Sequence, residues 1–566
     1  MIGLIVFNIL LLIGTVFADS FSSLASLNAL IGAERDIPVM INDYVEKELE
    51  RLDYLRKFAE EVEEHNNKAI RDGTEAILNP INAFLLIKEM KMDWDKATKI
   101  MRANSADDFI HNVTLQRINK RIKYPTETDL EGAVDGLLRL QDLYQMDTKD
   151  MAEGKILNSE MQTVALTAGD CFEIGRAAYN LKDYYHTILW MQEAQERVQN
   201  ESKPTVDTED ILEYLAFALY KQGNLKRALL LTDELYRMNP NHPRARNNII
   251  KYEELLGDEG VQPVDMRRKI PSINNPRHKS MMEKREKNAY EALCRHEVPV
   301  STKKQSLLYC YYKMDHPYLR LAPFKVEIAQ QNPLAVLFHN FISNEESRIL
   351  ELLATPKLYR ATVHNPATGR LETASYRISK SGWLKSSEHE VVNRIDKRLT
   401  LATNLNTETA EELQVQNYGV GGYYEPHLDC SRISKKEGAF EGLGTGNRIA
   451  TALIYMTEPE IGGRTVFINS KTSIPCTKNA ALFWYNLMRD GAADMRSLHA
   501  ACPVLTGIKW TANKWFHERG QEWNRPCGLH KYVRERYVGD LGAPEPKYQL
   551  NIRSKAKKSK KMKRKH

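Results

Sequence analysis

The chain has 566 residues, which at about 150 residues per domain allows three or four domains. Hydrophobic residues make up 42% and charged residues 27%, an ordinary globular balance that excludes a disordered, collagen-like or polytopic membrane chain. The formal net charge of +6 is misleading, because Arg553 to His566 hold nine Lys/Arg and no acid, which leaves the rest of the chain at −3. With the basic residues concentrated in a tail, nucleic acid is not an expected partner.

Residues 1–18 carry no charged side chain and close on Val16-Phe17-Ala18 just before Asp19. The run is shorter than the roughly 20 residues that span a bilayer, so it predicts a cleaved secretory signal peptide and a mature chain with no membrane span; the missing basic n-region makes an uncleaved N-terminal anchor the competing reading. Two sequons, at Asn112 and Asn200, agree with a secretory route and are candidate glycosylation sites. Seven cysteines in such a chain imply disulfides and at least one unpaired thiol. Spacing does not fix their connectivity. Cys294 with Cys310 and Cys502 with Cys527 are candidate local staples, and Cys171, Cys430 and Cys476 read as small buried apolar residues.

From Asp36 to about Ile70, Ile41, Val45, Leu52, Leu55, Ala59 and Val62 recur at spacings near three and four. This predicts an amphipathic helix that pairs with another helix, across a dimer interface or within its own domain. Helical patterns continue over Ala83 to Met101 and Leu130 to Tyr144. Between about Ala165 and Leu256 a weak internal repeat relates Asn180-Leu181-Lys182 to Asn224-Leu225-Lys226, each between amphipathic helices, as in tetratricopeptide-type repeats. On the helix after Pro204, Tyr214, Phe217 and Tyr220 share one face. Arg244, Asn248 and Tyr252 follow at four-residue spacing. Rings combined with amide and guanidinium donors suit an extended polyproline II peptide, whose prolines stack and whose carbonyls accept hydrogen bonds.

Asp258 to Glu297, rich in Pro, Arg, Lys and Asn, reads as a linker. Beyond it the pattern turns to short strands: Leu334 to Phe338, Leu413 to Val420, Arg448 to Met456, Ala480 to Tyr485 and Ile508 to Trp515. Helices are expected from Glu345, behind a Ser343/Glu346 capping box, and over Glu388 to Leu401. The natural class for this half is a sandwich or jelly roll.

In the stretch Gln416 to Asp429 (QNYGVGGYYEPHLD), His427 and Asp429 are two apart and point to one face of an extended strand. A second histidine would complete a 2-His-1-carboxylate set, which leaves coordination positions open as non-haem Fe(II) oxygenases require, although zinc hydrolases use the same ligand types. Ser497 to Gly520 supplies His499 as a candidate. Ten residues on, Lys509 lies in an otherwise largely apolar run with Thr511, Asn513 and His517 on the same strand face, and burying it calls for an anion. A dicarboxylate cosubstrate provides one.

The pairing of YGVGGYYEPHLD with SLHAACPVLTGIKW, together with CFEIGRAAYNLKDYYHTILWMQEA and the N-terminal helix, resembles the collagen prolyl 4-hydroxylase α-subunit family. The resemblance runs from about Asp36 to Cys527. It implies that His427, Asp429 and His499 hold Fe(II), that Lys509 meets the far carboxylate of 2-oxoglutarate, and that Tyr418, Tyr455, Thr511 and His517 line the same pocket. It implies hydroxylation of proline C4 in procollagen X-Pro-Gly sequences, coupled to oxidative decarboxylation of 2-oxoglutarate by O2, with ascorbate keeping iron reduced. It places disulfides at the two cysteine pairs above. It also implies an α2β2 tetramer with protein disulfide isomerase in the endoplasmic reticulum lumen. Phe217 departs from the family's usual tyrosine.

The expected fold is multidomain α + β. A signal peptide (1–18) precedes a helical dimerisation domain (19–150), a tetratricopeptide-like peptide-substrate domain (151–257), and a linker with the start of the catalytic region (258–333). A double-stranded β-helix (334–530) and an extension with the basic tail (531–566) complete the chain. The alternative is a catalytically silent subunit that uses its helical repeats as a procollagen chaperone.

Overall fold

The computed structural model describes residues 22–72, 95–102, 106, 110–111, 114, 126–159, 164–277, 284–364, 371–373, 377–432, 444–528 and 533–539. The expected leader, the Asn112 sequon and the basic tail lie outside them. The chain divides into two compact units, one comprising mainly Ala25–Thr126 and the other mainly Glu127–His566. No helix among the described residues is long and apolar enough to cross a membrane.

The first unit is dominated by α1 (Leu24–Asp72), 49 residues that span about 74 Å at 1.5 Å per residue. It begins before the predicted Asp36 and runs through Pro38. Ile41, Val45, Leu52 and Val62 of the predicted stripe are 53%, 44%, 51% and 41% exposed. Of the predicted helix over Ala83 to Met101, residues 95–101 are helical and the remainder lies outside the described residues.

In the second unit α2 (Glu127–Tyr144) leads into α3 (Ala168–Asn180), α4 (Tyr184–Val198), α5 (Thr208–Lys221), α6 (Leu225–Met238) and α7 (Ala245–Asp258). The helices α3/α4 and α5/α6 are two hairpins joined by three-residue turns. Lys182 (φ 62°) and Gly223 (φ 80°) hold the same left-handed place in those turns. The repeats are therefore offset by 41 residues (181 against 222), not by the 44 suggested by the Asn-Leu-Lys likeness. Asn180 ends α3, whereas Asn224 precedes α6.

The predicted linker is more structured than its composition suggests. Asn274 N–H donates to the Asn224 side chain at 2.7 Å, Gln222 donates to Asn275, and α8 (Lys284–Cys294) buries Tyr290, Leu293 and Cys294. Two further helices, α9 (Asn344–Ala354) and α10 (Glu390–Thr403), flank the β region. The predicted capping box at α9 is present, with Ser343 and Glu346 bonding reciprocally.

The strands are β1 (Cys310–Lys313), β2 (Phe324–Gln331), β3 (Leu334–His339), β4 (Tyr359–Arg360), β5 (Thr362–His364), β6 (Leu371–Thr373), β7 (Lys380–Leu384), β8 (Leu413–Asn417), β9 (Tyr424–His427), β10 (Arg448–Tyr455), β11 (Ile461–Gly462), β12 (Thr465–Phe467), β13 (Thr472–Ile474), β14 (Ala481–Tyr485), β15 (His499–Ala501), β16 (Val504–Thr506) and β17 (Trp510–His517). The five predicted strands coincide with β3, β8, β10, β14 and β17 to within a few residues. β1 and β2, and the short strands β4–β7, β11–β13, β15 and β16, have no counterpart among the predicted strands. The larger sheet has the order β1-β2-β3-β14-β10-β17-β8-β7-β4, and a smaller one the order β13-β12-β15-β9.

Ala335, Leu337, Tyr455, Leu482 and Trp484 of the large sheet meet Phe467 and Ile474 of the small one in a buried core, as in a jelly roll. A second core runs from the helical repeats (Ile188, Trp190, Ile211, Leu215) through α8 to Val466, Leu498, Ala500 and Cys502. The helices and the small sheet thus share this second core.

Candidate metal centre and cosubstrate pocket

Antiparallel pairing of β9 with β15 puts His427 directly opposite His499, and Asp429 follows two residues after His427. One donor atom from each of the three lies within 4.8 Å of the others. The His427 Nε2 is 3.6 Å from Asp429 Oδ1, and the His499 Nε2 is 3.7 Å from Asp429 Oδ2. Both imidazoles are oriented from behind. His427 Nδ1–H donates to the Glu425 carbonyl at 2.7 Å and His499 Nδ1–H to the Ser497 carbonyl at 2.9 Å, which turns both Nε2 lone pairs toward the carboxylate.

Burial alone would push the Asp429 carboxyl up. The His499 and His427 rings and the Arg448 guanidinium outweigh it and hold the group well below the usual carboxylate range. Burial, with His427 beside it, brings His499 down to about 4, so its ring is neutral near pH 7. A carboxylate and two imidazoles converging on one point are a donor set for a divalent metal with open positions.

Lys509 is fully buried just ahead of β17, and burial holds its ammonium below the ordinary value. Its Nζ donates to the Gly463 carbonyl at 2.7 Å and lies 4.5 Å from the centre of the Tyr418 ring. Among the described residues no carboxylate pairs with it, so the seat is electrostatically incomplete and fits the far end of a dicarboxylate. Tyr418 is buried and donates to Gln416 at 3.0 Å. Thr511, buried beside Tyr418, stands opposite Tyr455 across β17 and β10, and Tyr455 donates to Thr465 at 2.8 Å. The Cys476 thiol shares the Gly463 carbonyl at 2.8 Å.

His517 is placed at the other end of β17, between Glu411 (3.0 Å from Nε2) and the Gly446 carbonyl (2.7 Å from Nδ1). Glu411 also holds Arg448, at 2.5 Å, and Arg448 reaches the Asp429 carbonyl at 3.5 Å. The histidine therefore belongs to the scaffold around the metal ligands.

The helical face assembles most of its predicted residues. Tyr214, Phe217 and Tyr220 line one half-buried side of α5, and Tyr220 packs on Tyr252 with ring centres 5.0 Å apart. Tyr252 is itself fully buried, and its hydroxyl has no hydrogen-bond partner among the described residues. Arg244 precedes α7 as its N-cap and is tied to Glu213 at 2.5 Å, while Asn248 is half-buried. Sequence reasoning missed Tyr179 and Tyr184. They flank the first turn and complete the ring array, 4.9 Å from Tyr214 and 6.3 Å from Phe217 respectively.

The expected disulfides are corrected. Cys294 pairs with Cys502, with Cα atoms 5.6 Å apart, and Cys310 and Cys527 are exposed free thiols. The α8 helix packs on β12 and β13, beside the loop after β15, and this tertiary packing outranks nearness in sequence. Cys171, Cys430 and Cys476 are buried, as expected. Asn200 is exposed at the end of α4.

Three family models match the chain. They are the prolyl 4-hydroxylase alpha-subunit N-terminal region over residues 23–158, the prolyl 4-hydroxylase peptide-substrate-binding domain over 168–258, and the 2OG-Fe(II) oxygenase superfamily over 413–517. The chain is 54% identical over 545 residues to prolyl 4-hydroxylase subunit alpha-1 of Caenorhabditis elegans, covering 96% of this chain and 97% of that one. It is 50% identical over 534 residues to subunit alpha-2 of the same organism (94% and 97% covered) and 41% identical over 537 residues to subunit alpha-1 of Homo sapiens (92% and 98%).

Proposed function

The chain belongs to the prolyl 4-hydroxylase α-subunit family, and on that premise we propose that it hydroxylates C4 of proline in procollagen X-Pro-Gly sequences. The observation that carries this reading is the coexistence of the His427/Asp429/His499 cluster with a buried, carboxylate-free Lys509. His427, Asp429 and His499 would hold Fe(II), and Lys509 the far carboxylate of 2-oxoglutarate. When bound, iron and 2-oxoglutarate supply the oxidising chemistry that converts O2, 2-oxoglutarate and prolyl C–H to succinate, CO2 and hydroxyproline.

The chain's own residues orient and exclude. The Glu425 and Ser497 carbonyls fix the tautomers of the two histidines. Tyr418, Tyr455 and Thr511 wall the buried seat of Lys509 and keep water from competing for its ammonium. The aromatic face of α3 to α5 captures extended proline-rich peptide through ring stacking, which raises the local concentration of prolines near the site.

The remaining parts of the reading rest on the family. Residues 1–18 direct the chain to the endoplasmic reticulum lumen, where protein disulfide isomerase is its β subunit in an α2β2 tetramer and ascorbate maintains iron as Fe(II). The relatives' designation as alpha subunits supports a partner chain, and the exposed apolar stripe of α1 supports helix pairing between α subunits.

The test is formation of succinate and hydroxyproline from a Pro-Pro-Gly repeat peptide by the chain co-expressed with protein disulfide isomerase, with Fe(II), 2-oxoglutarate and ascorbate. A soluble tetramer that binds the peptide and yields neither product would instead be a silent chaperone.

A further inference from the structure

Asp429 can meet a metal through one oxygen or through both, and the difference decides how many positions stay open. Each of its oxygens faces one imidazole, Oδ1 the His427 Nε2 at 3.6 Å and Oδ2 the His499 Nε2 at 3.7 Å, but among the described residues Oδ2 alone also accepts a hydrogen bond. Oδ2 accepts a hydrogen bond from the Thr451 hydroxyl at 2.7 Å, and Thr451 Oγ1 in turn accepts from Asn486 Nδ2 at 2.8 Å. Thr451 lies within β10. Asn486 follows β14 immediately and is pinned by its own N–H donating to the Ile449 carbonyl at 2.9 Å. Thr451 and Asn486 are almost completely buried.

The direction of the relay is fixed. The Asn486 amide hydrogens can only donate, so the Thr451 oxygen accepts from them and spends its single proton on Asp429. The backbone next to Asp429 is held separately: Ser431 N–H donates to Asn447 Oδ1 at 2.9 Å, Asn447 Nδ2 donates to the Ser431 carbonyl at 3.0 Å, and Arg448 reaches the Asp429 carbonyl. Removing the Thr451 hydroxyl therefore leaves the backbone in place and frees only the carboxylate to rotate.

We propose that Thr451, backed by Asn486, is a positioning residue that occupies Asp429 Oδ2 and leaves Oδ1 alone to the metal, keeping the carboxylate monodentate. The inference rests on reading His427, Asp429 and His499 as an Fe(II) centre. Its functional consequence is that the positions needed by 2-oxoglutarate and O2 stay open together. Without the hydroxyl, Oδ2 turns to the metal and closes one of them.

The test compares Thr451→Val, Thr451→Ser and Asn486→Ala in the full chain co-expressed with protein disulfide isomerase. Two readouts are used: the Co(II) dissociation constant by calorimetry, and the hydroxyproline formed per succinate. Valine keeps the β-branched shape and loses the proton. The expected result is about a tenfold change in Co(II) affinity for Thr451→Val, as for removal of other outer hydrogen-bond partners, with less hydroxyproline per succinate. Thr451→Ser restores both, and Asn486→Ala falls between. Unchanged Co(II) affinity and unchanged coupling in Thr451→Val would overturn the proposal, as would Thr451→Ser behaving like valine, which would mark a packing effect. If Thr451→Val does not fold, Asn486→Ala decides alone, and wild-type values in it overturn the relay. Wild-type chain that binds Co(II) but never hydroxylates the peptide would fail the functional reading, while the Co(II) comparison still judges the relay.

Discussion

The metal centre and the aromatic face of the repeats are built on opposite principles. At the centre nearly every polar atom is directed: two carbonyls aim two imidazoles, and a threonine and an asparagine hold one carboxylate oxygen. On the face, Tyr179, Tyr184, Tyr214, Phe217 and Tyr220 hold one another by edge-on ring packing and remain half-buried. Directed hydrogen bonds suit a small ligand of fixed geometry, whereas mutually supported rings suit a repetitive chain that can bind in many registers. Substitutions at the centre should therefore abolish chemistry, and substitutions on the face should weaken capture.

The strongest way to break the contrast is His427→Ala. It should lower peptide hydroxylation by more than about 100-fold, beyond the range of losing an outer partner, with peptide binding by the repeats unchanged in a pull-down on polyproline. Equal loss of binding would mean that the two regions are one site.

Lys509→Met comes next. Removing a charge-assisted hydrogen bond should raise the KM for 2-oxoglutarate roughly tenfold to a hundredfold. The same change should raise Tm without cosubstrate, because a buried ammonium facing a lone carbonyl is removed. A fall in Tm would show that Lys509 is structurally satisfied and has another role.

On the face, Tyr220→Ala should raise KM for long Pro-Pro-Gly peptides about fivefold to tenfold, the range expected when one ring is taken out of an aromatic cluster. The kcat should hold and short peptides be spared. A drop in kcat would contradict a capture role.

The smallest effect lies where the repeats meet α2. His186, at the start of α4, sits 2.6 Å from Asp183 and 3.3 Å from Asp142. Burial opposes its protonation, but the two carboxylates outweigh burial and raise it to about 9. Since the folded value exceeds the unfolded one near 6.5, the stabilisation is full below pH 6.5, declines as pH rises toward 9 and is gone above it. His186→Gln should flatten the fall of Tm between pH 6.5 and 9.5, and an unchanged slope would remove this histidine from the join.

The parts of the site that could be read from sequence are those governed by local periodicity. His427 and Asp429 declare themselves because strand alternation returns every second residue to one face, and the Ser343/Glu346 cap because its bonds span three residues. The join of His427 to His499 depends on cross-strand register, which composition does not carry. The Thr451 and Asn486 relay depends on two strands that only the folded sheet makes adjacent, and its residues have no motif of their own. The cysteines show the same limit. Short separations made Cys294/Cys310 and Cys502/Cys527 attractive, yet packing of α8 on the small sheet joins Cys294 to Cys502. Tyr179 and Tyr184 escaped because they sit at the ends of helices, where no repeat of three or four marks them. The Asn-Leu-Lys likeness misled by three residues because identical letters fell on opposite sides of a turn.

The close approach of α2 to the glycine loop before β9 sets a limit on how this protein can be divided. A Cβ on Gly136 would come within 2.6 Å of the Val420 carbonyl, and one on Gly421 within 2.5 Å of the Gly136 carbonyl, so two backbones touch where a side chain would separate them. Arg139 covers the Tyr423 ring, and Tyr144 donates to the Pro503 carbonyl at 2.7 Å. The loops beside the strands that carry the two histidine ligands thus lean on a helix some 280 and 360 residues earlier in the chain. A fragment cut at the start of the oxygenase motif would keep every ligand and lose the wall against which they are set.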